Sequence, residues 1–168
     1  ARVFGLALAM VTRILLLLAL CGYGFRLGEV SKEFVDGYHV VVRNFYSQLR
    51  VSEKNGDLPG PKRVMVHGRI NHGEQYLAEE HRRTPSTYYC HESGVGRAIF
   101  ALPQDRPLKL GMVGLGAGTL AAYGRAGDEL RIYEINDQVF DLARSQFSYL
   151  ADSPARIVPV LGDGRLML

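Results

Sequence analysis

The stretch LKLGMVGLGAGTLAAYGRAGDELRIYEIN, residues 108–136, decides the fold. An apolar run (108–113) leads straight into Gly114-Leu115-Gly116-Ala117-Gly118, helix formers follow, and ELRIYEIN returns as a second β-branched and aromatic run. A glycine loop that closes a strand and opens a helix is the setting in which such a loop binds a nucleotide. Gly114 supplies the positive φ of the turn, and the missing side chains at Gly116 and Gly118 let backbone N–H groups come close to a ligand. Glu134 follows Gly114 by about 20 residues, at the end of the second strand, where a carboxylate accepts ribose hydroxyls.

Toward the C-terminus, QVFDLARSQFSYL (138–150) reads as one amphipathic helix with Val139, Leu142, Ala143, Phe147 and Leu150 on one face. RIVPVLGDG (156–164) reads as a third strand ending in Gly162-Asp163-Gly164, which puts a second carboxylate at the same edge, positioned to accept from an adenine amino group. The alternation is βαβαβ. Right-handed crossovers then order the strands 3-2-1, with residues 108–113 expected to be a buried strand and GTLAAYGR (118–125) the start of a helix. The ligand class is narrowed by the loop itself. Dinucleotide sites favour G-x-G-x-x-G, because two phosphates must be cradled, whereas Thr119 stands at the sixth position here. Carboxylates on ribose and base suit a sulfonium nucleoside without phosphates; a nicotinamide or flavin dinucleotide and a purely structural glycine turn stay open.

Toward the N-terminus, YHVVVRNFYSQLRVSE (38–53) has strand composition, NGDLPGP (55–61) is rich in turn formers, and KRVMVHGRINHGEQYL (62–77) suits two short strands joined at His67-Gly68. HRRTPSTYYCHESG (81–94) reads as a loop and GVGRAIFALP (94–103) as a short helix ended by Pro103. His67 and His72, each followed by glycine, read as hydrogen-bonded turn histidines, with a polar role on an acceptor side as the alternative, and their spacing is not that of a metal pair. A polar hinge is expected over 28–37.

Ahead of it, VFGLALAMVTRILLLLALCGYGF (3–25) is long enough for a membrane-spanning helix with a single charge, Arg13. A mid-helix arginine costs about 2.5–3.5 kcal/mol on the insertion scale, and large apolar residues each return about 0.3–0.6 kcal/mol, so insertion is still favoured, with a signal sequence or anchor and a buried helix as the alternatives. An intramembrane arginine of this kind faces a neighbouring helix or a water-filled cavity. The basic excess of Arg26 and Lys32 after the run over Arg2 before it is small, and leans toward an expectation that the soluble part is cytoplasmic. The expected division is 1–30 for the transmembrane helix and hinge, 31–106 for a small β-rich domain, and 107–168 for a partial nucleoside-binding domain.

Composition excludes several classes. The 168 residues are 47% hydrophobic and 22% charged with 19 Gly and two Cys, which rules out a collagen, a disulfide-stapled miniprotein and a disordered tail. Twenty Lys and Arg are spread among 17 Asp and Glu, so no nucleic-acid stripe is implied. Cys21 in the apolar run and Cys90 beside tyrosines do not suit a disulfide, which favours a reducing compartment. No cysteine or histidine spacing suggests a metal. The chain opens without Met and stops soon after GDG, and reads as an excerpt.

These stretches resemble the spermidine synthase family, specifically its membrane-fused members. The matching segments are RNFYSQLRV, HGRINHGEQ, TPSTYYCHESGVGRAI, GMVGLGAGTLAAYGR, YEIN and SPARIVPVLGDGR, covering most of 43–165. The resemblance implies an α/β fold: a Rossmann-like, class I methyltransferase-type parallel sheet, cut off after its third strand and preceded by a β-rich unit and the transmembrane helix. It implies a transferase that moves an aminopropyl group from decarboxylated S-adenosylmethionine to a polyamine or other amine. The donor would lie on Gly114, Gly116, Gly118, Glu134, Asp163 and Gln75, the acceptor against Tyr88, Tyr89 and Glu92, with no metal and with homodimerisation open. Ala117 stands where the family carries an acid that pairs with the donor's amine. That departure keeps ordinary S-adenosylmethionine and methyl transfer in view, as well as a non-catalytic nucleoside or polyamine sensor. The family's catalytic acid would fall beyond Leu168.

Overall fold

A computed structural model describes residues 2–56 and 59–167. The turn expected over 55–61 falls partly outside the described residues, at Asp57 and Leu58. The chain divides into two compact units, Ala1–Gly37 and Tyr38–Leu168.

The first unit is one helix, α1 (Arg2–Glu33). Its stretch Ala7–Glu33 is long and apolar enough to cross a membrane by length and composition, and none of its most apolar window is buried. The helix runs through the expected hinge at Gly28, since one interior glycine costs a helix only about 1 kcal/mol. It ends instead at Glu33, where the N–H groups of Val35 and Asp36 both close on the Lys32 carbonyl and Gly37 takes φ +79°.

The second unit begins with an antiparallel meander: β1 (Val40–Asn44), β2 (Ser47–Lys54), β3 (Lys62–His67) and β4 (Ile70–Tyr76), in that spatial order. The single strand expected over 38–53 is therefore a hairpin with Phe45-Tyr46 at its tip. Val40 pairs with Val51 and Asn44 with Ser47, and the Asn44 side chain holds the turn by accepting the Tyr46 N–H at 3.0 Å. The β3–β4 junction falls at Gly68 as expected, with φ +61°. A 3-10 turn (Thr87–Tyr89) then leads to α2 (Gly94–Phe100), whose first turn is capped by the Ser93 hydroxyl accepting the Gly96 N–H.

The parallel sheet comprises β5 (Lys109–Val113), β6 (Glu129–Glu134) and β7 (Arg156–Leu161), ordered β5-β6-β7, which is the 3-2-1 arrangement read from the sequence. Three local expectations change. Residues 109–113 are not buried: β5 is an edge strand with alternating exposure, and Val113 is 71% exposed. Thr119–Tyr123 forms a 3-10 turn rather than a helix start, because Gly124 is pinned with Ser153, Ala155 and Leu130 at the place where a side chain would stand. The helix expected over 138–150 is two: α3 (Asp137–Gln146) and α4 (Tyr149–Asp152), separated by extended Phe147. A last short helix, α5 (Gly164–Met167), follows β7. On the other edge, Pro159 lies within β7, where a missing N–H and a fixed φ blunt the strand against further pairing.

The two sheets share one core. Leu49, Val51 and Met65 of the meander pack in a single cluster with Leu115 and Ala117 of the glycine loop, Ile132 of β6, and Val139, Phe140, Leu142, Ala143 and Phe147. Polar ties reinforce it: Arg63 Nη1 donates to the Gln146 carbonyl at 2.6 Å, and Arg82 pairs with Asp152 at 3.0 Å.

Candidate functional site

The carboxyl ends of β5, β6 and β7 converge on the glycine loop. Gly114, Gly116 and Gly118 have φ of +89°, +57° and +85°, values that L side chains rarely adopt, so the local sequence determines the turn. What surrounds each glycine differs. A Cβ at Gly116 would stand 2.3 Å from the His72 carbonyl oxygen, and one at Gly118 would stand 3.3 Å from the Leu150 side chain, whereas a Cβ at Gly114 would meet nothing within 4 Å. The close approach expected of a ligand at Gly116 and Gly118 is thus made by the protein itself, and Gly114 is the open member.

Most of the loop's donors are also turned inward. Gly114 N–H donates to the Tyr133 carbonyl (2.8 Å), Leu115 N–H to Glu134 Oε2 (2.9 Å), Ala117 N–H to the His72 carbonyl (3.2 Å) and Gly118 N–H to the Leu115 carbonyl (3.0 Å). Such a loop is a poor cradle for two phosphates.

Glu134 is the centre of the arrangement. Its Oε2 accepts from Leu115 and its Oε1 from the Asn136 N–H at 2.9 Å, which fixes the carboxylate beside the loop and leaves each oxygen a further lone pair. Asp163, two residues past β7, reaches the same edge, because Gly162 N–H donates to the Glu134 carbonyl and Gly164 rests against Val113 and Tyr133. Both Asp163 oxygens engage Arg165: Oδ1 accepts its backbone N–H at 3.0 Å and its Nε at 3.1 Å, and Oδ2 accepts from Nη2. The guanidinium and that N–H pull the Asp163 carboxyl down to about 2.

Gln75 is not brought to this edge. It is 4% exposed, its amide donates to the Arg82 carbonyl and the Ser148 hydroxyl (2.8 Å each), and its Oε1 accepts the Ser148 N–H at 2.9 Å. Those bonds seat β4 against the break between α3 and α4. Ala117 is buried with its Cβ toward Gly73, where a glycine Cβ would lie only 2.7 Å away, so position 117 serves packing in this fold.

The tyrosine segment divides. Tyr88 is exposed and its hydroxyl donates to the Asn71 carbonyl at 3.2 Å, next to His72. Tyr89 packs on Tyr88 with ring centres 4.4 Å apart; burial first, then Tyr88, pushes its hydroxyl up to about 12. The Tyr89 carbonyl accepts the Tyr123 hydroxyl at 2.5 Å. Glu92 is exposed near Tyr123, in a cluster where His91, Phe100 and Tyr123 meet edge to face. That cluster borders a separate cavity of about 370 Å³ running to Arg125 and Asp128.

Two more residues shape the site. His72, expected at a turn, clasps the loop with its carbonyl; burial, then His67, holds its ring below the usual histidine value, with Glu134 acting in the opposite sense. His67 fits the turn reading, its Nε2 lying 3.1 Å from the Tyr46 carbonyl. Asn136 caps α3, its Oδ1 accepting the Gln138 N–H at 3.1 Å and Asn44 Nδ2 at 2.6 Å, while its own Nδ2 has no partner among the described residues. The helix-cap signal in EIND was available; the tie to Asn44, across the whole meander, was not.

Fold and site together define an α/β chain whose parallel three-stranded sheet presents two carboxylates at one edge. No family model matches the chain, and no curated protein matches it. Among solved structures it is similar to a spermidine synthase from Thermotoga maritima, at 19% identity and a TM-score of 0.46, over 74% of this chain and 40% of that one. The chain therefore spans about two-fifths of the length of that neighbour.

Proposed function

We propose that the chain is the anchoring and nucleoside-binding part of a spermidine-synthase-like transferase, held at a membrane by α1. The observation that carries the reading is the Glu134 carboxylate, fixed at the end of the central strand by the Leu115 and Asn136 N–H groups, beside a loop in which Gly114 is the glycine left open. Glu134 accepts the ribose hydroxyls of an S-adenosylmethionine-type donor. Asp163 accepts the adenine amino group, in competition with Arg165, an exposed partner that is displaced at little cost. Decarboxylated S-adenosylmethionine is the proposed donor and a polyamine or related amine the acceptor, with Tyr88, whose hydroxyl donates to the Asn71 carbonyl beside His72, on the acceptor side. In the transfer the acceptor nitrogen bonds to the carbon beside the sulfonium, the carbon–sulfur bond breaks to release a neutral thioether, and the nitrogen loses a proton. The chain's own contribution is positioning, which alone lowers such barriers by many kcal/mol.

The test is calorimetric titration of the full chain in detergent with S-adenosylmethionine, its decarboxylated form and NAD. Sulfonium nucleosides bind, and Glu134→Gln weakens them tenfold or more, about the value of a hydrogen bond to a charged group. Asp163→Asn weakens adenosine ligands while leaving the melting temperature unchanged. Binding of NAD alone, or indifference to Glu134→Gln, refutes the reading; a preference for the carboxylated nucleoside replaces aminopropyl transfer with methyl transfer.

A further inference from the structure

One end of the meander carries an exposed apolar tip. Phe45 is 96% exposed and packs edge to face on Tyr46, at 5.5 Å between ring centres, while Ile70 on the neighbouring turn is 67% exposed. The two turns are adjacent, since Gly68 N–H donates to the Gln48 carbonyl and His67 lies against the Tyr46 carbonyl. Arg43 and Arg69 are exposed at the same end, and neither is in an ion pair among the described residues. Residues 38–52 and 62–73, which make both turns and their flanks, contain no acidic residue. Aromatic and aliphatic side chains ringed by arginine, without acids, are the composition that enters the headgroup region of an anionic bilayer.

The length of chain between α1 and the tip permits the encounter. Residues 34–39 between α1 and β1 reach at most about 20 Å, and β1 adds about 17 Å.

We infer that the Phe45-Tyr46 and Ile70 tip inserts into the interface of an anionic lipid surface, with Arg43 and Arg69 on the headgroups. This rests on α1 spanning the bilayer. The sequence has no Trp, so single-tryptophan variants report cleanly. The full chain is reconstituted into phosphatidylcholine vesicles containing roughly 30% phosphatidylglycerol, with bromine on the acyl chains near the headgroups. Tryptophan is placed at the tip (Phe45→Trp), in α1 (Tyr23→Trp) and at the far end of β2 (Lys54→Trp). Phe45→Trp and Tyr23→Trp lose about half of their emission, as shallow insertion of 5–10 Å dictates, and Lys54→Trp keeps its own. Replacing Arg43 and Arg69 by Glu, omitting phosphatidylglycerol or adding salt reduces quenching at Phe45→Trp, by about fivefold in partitioning per arginine lost. Quenched Tyr23→Trp with unquenched Phe45→Trp refutes the tip and spares the anchor. Unquenched Tyr23→Trp removes both. Blue-shifted Phe45→Trp emission without quenching means that a protein surface, such as a second copy, covers the tip, and also overturns the inference.

Discussion

Alanine at Gly116 and at Gly114 separates the packing role of the loop from its ligand role. Both positions have positive φ, which costs an alanine about 1–2 kcal/mol in either place. At Gly114 that is the whole cost, because the new methyl meets nothing within 4 Å. At Gly116 the methyl would lie 2.3 Å from the His72 carbonyl oxygen, a backbone atom that cannot rotate aside. β4 must retreat, giving up the Ala117 N–H bond to that carbonyl, worth about 0.5–1.5 kcal/mol, and disturbing a core in which overpacking costs about 1–3 kcal/mol. Gly116→Ala is therefore destabilised by about 3–6 kcal/mol, a large part of the stability of a typical domain, and Gly114→Ala by no more than about 2 kcal/mol. Urea unfolding followed by the near-ultraviolet circular dichroism of the nine tyrosines reads the difference, since all but Tyr23 lie in the Tyr38–Leu168 unit. In nucleoside titration the order reverses for the folded proteins: Gly114→Ala loses affinity although its melt falls only by the cost of the positive φ. Equal destabilisation of the two variants, within about 1 kcal/mol, would refute the assignment of Gly116 to packing.

Other outcomes follow from the same geometry. Asp128 is 2% exposed and accepts from Leu108 N–H, Arg125 N–H and the Arg125 guanidinium; the guanidinium first, then these N–H groups, holds its carboxyl below the ordinary value. Its contribution is thus complete above the unfolded carboxylate value near pH 4 and is lost as pH falls through the lower folded value, so Asp128→Asn lowers stability by about 3 kcal/mol at neutral pH and flattens the acid limb of the melting curve. Gln75→Leu leaves the part-buried Ser148 N–H without its acceptor and costs about 1–3 kcal/mol in urea unfolding, with nucleoside affinity per folded molecule unchanged. For His72, burial favours the neutral ring in the folded state, so stability is complete above about pH 6.5 and declines as pH falls toward the folded value; His72→Gln removes that slope, and NMR titration of the ring finds its midpoint below the unfolded one.

Elements governed by neighbours in sequence were legible. The turn at His67-Gly68, the parallel order and the buried face of α3 all follow from local chemistry and from the handedness of crossovers. The hairpin at Phe45-Tyr46 was hidden because its turn lacks glycine and proline and depends on the Asn44 side chain. The break after α3 was hidden because Ser148 N–H spends its bond on Gln75, far earlier in the chain. Likewise Glu134 stands where strand-end chemistry placed it, but the occupant of the space at Gly116 is a carbonyl from β4, which no pattern within the loop encodes.

The His72 clasp has a consequence for how the molecule moves. With a main-chain carbonyl of β4 seated on the loop and hydrophobic side chains shared beneath it, the meander cannot swing like a jaw away from the parallel sheet without unfastening the core. On the reading proposed above, the nucleoside enters along the strand ends and slows amide exchange in β4 as much as in the loop.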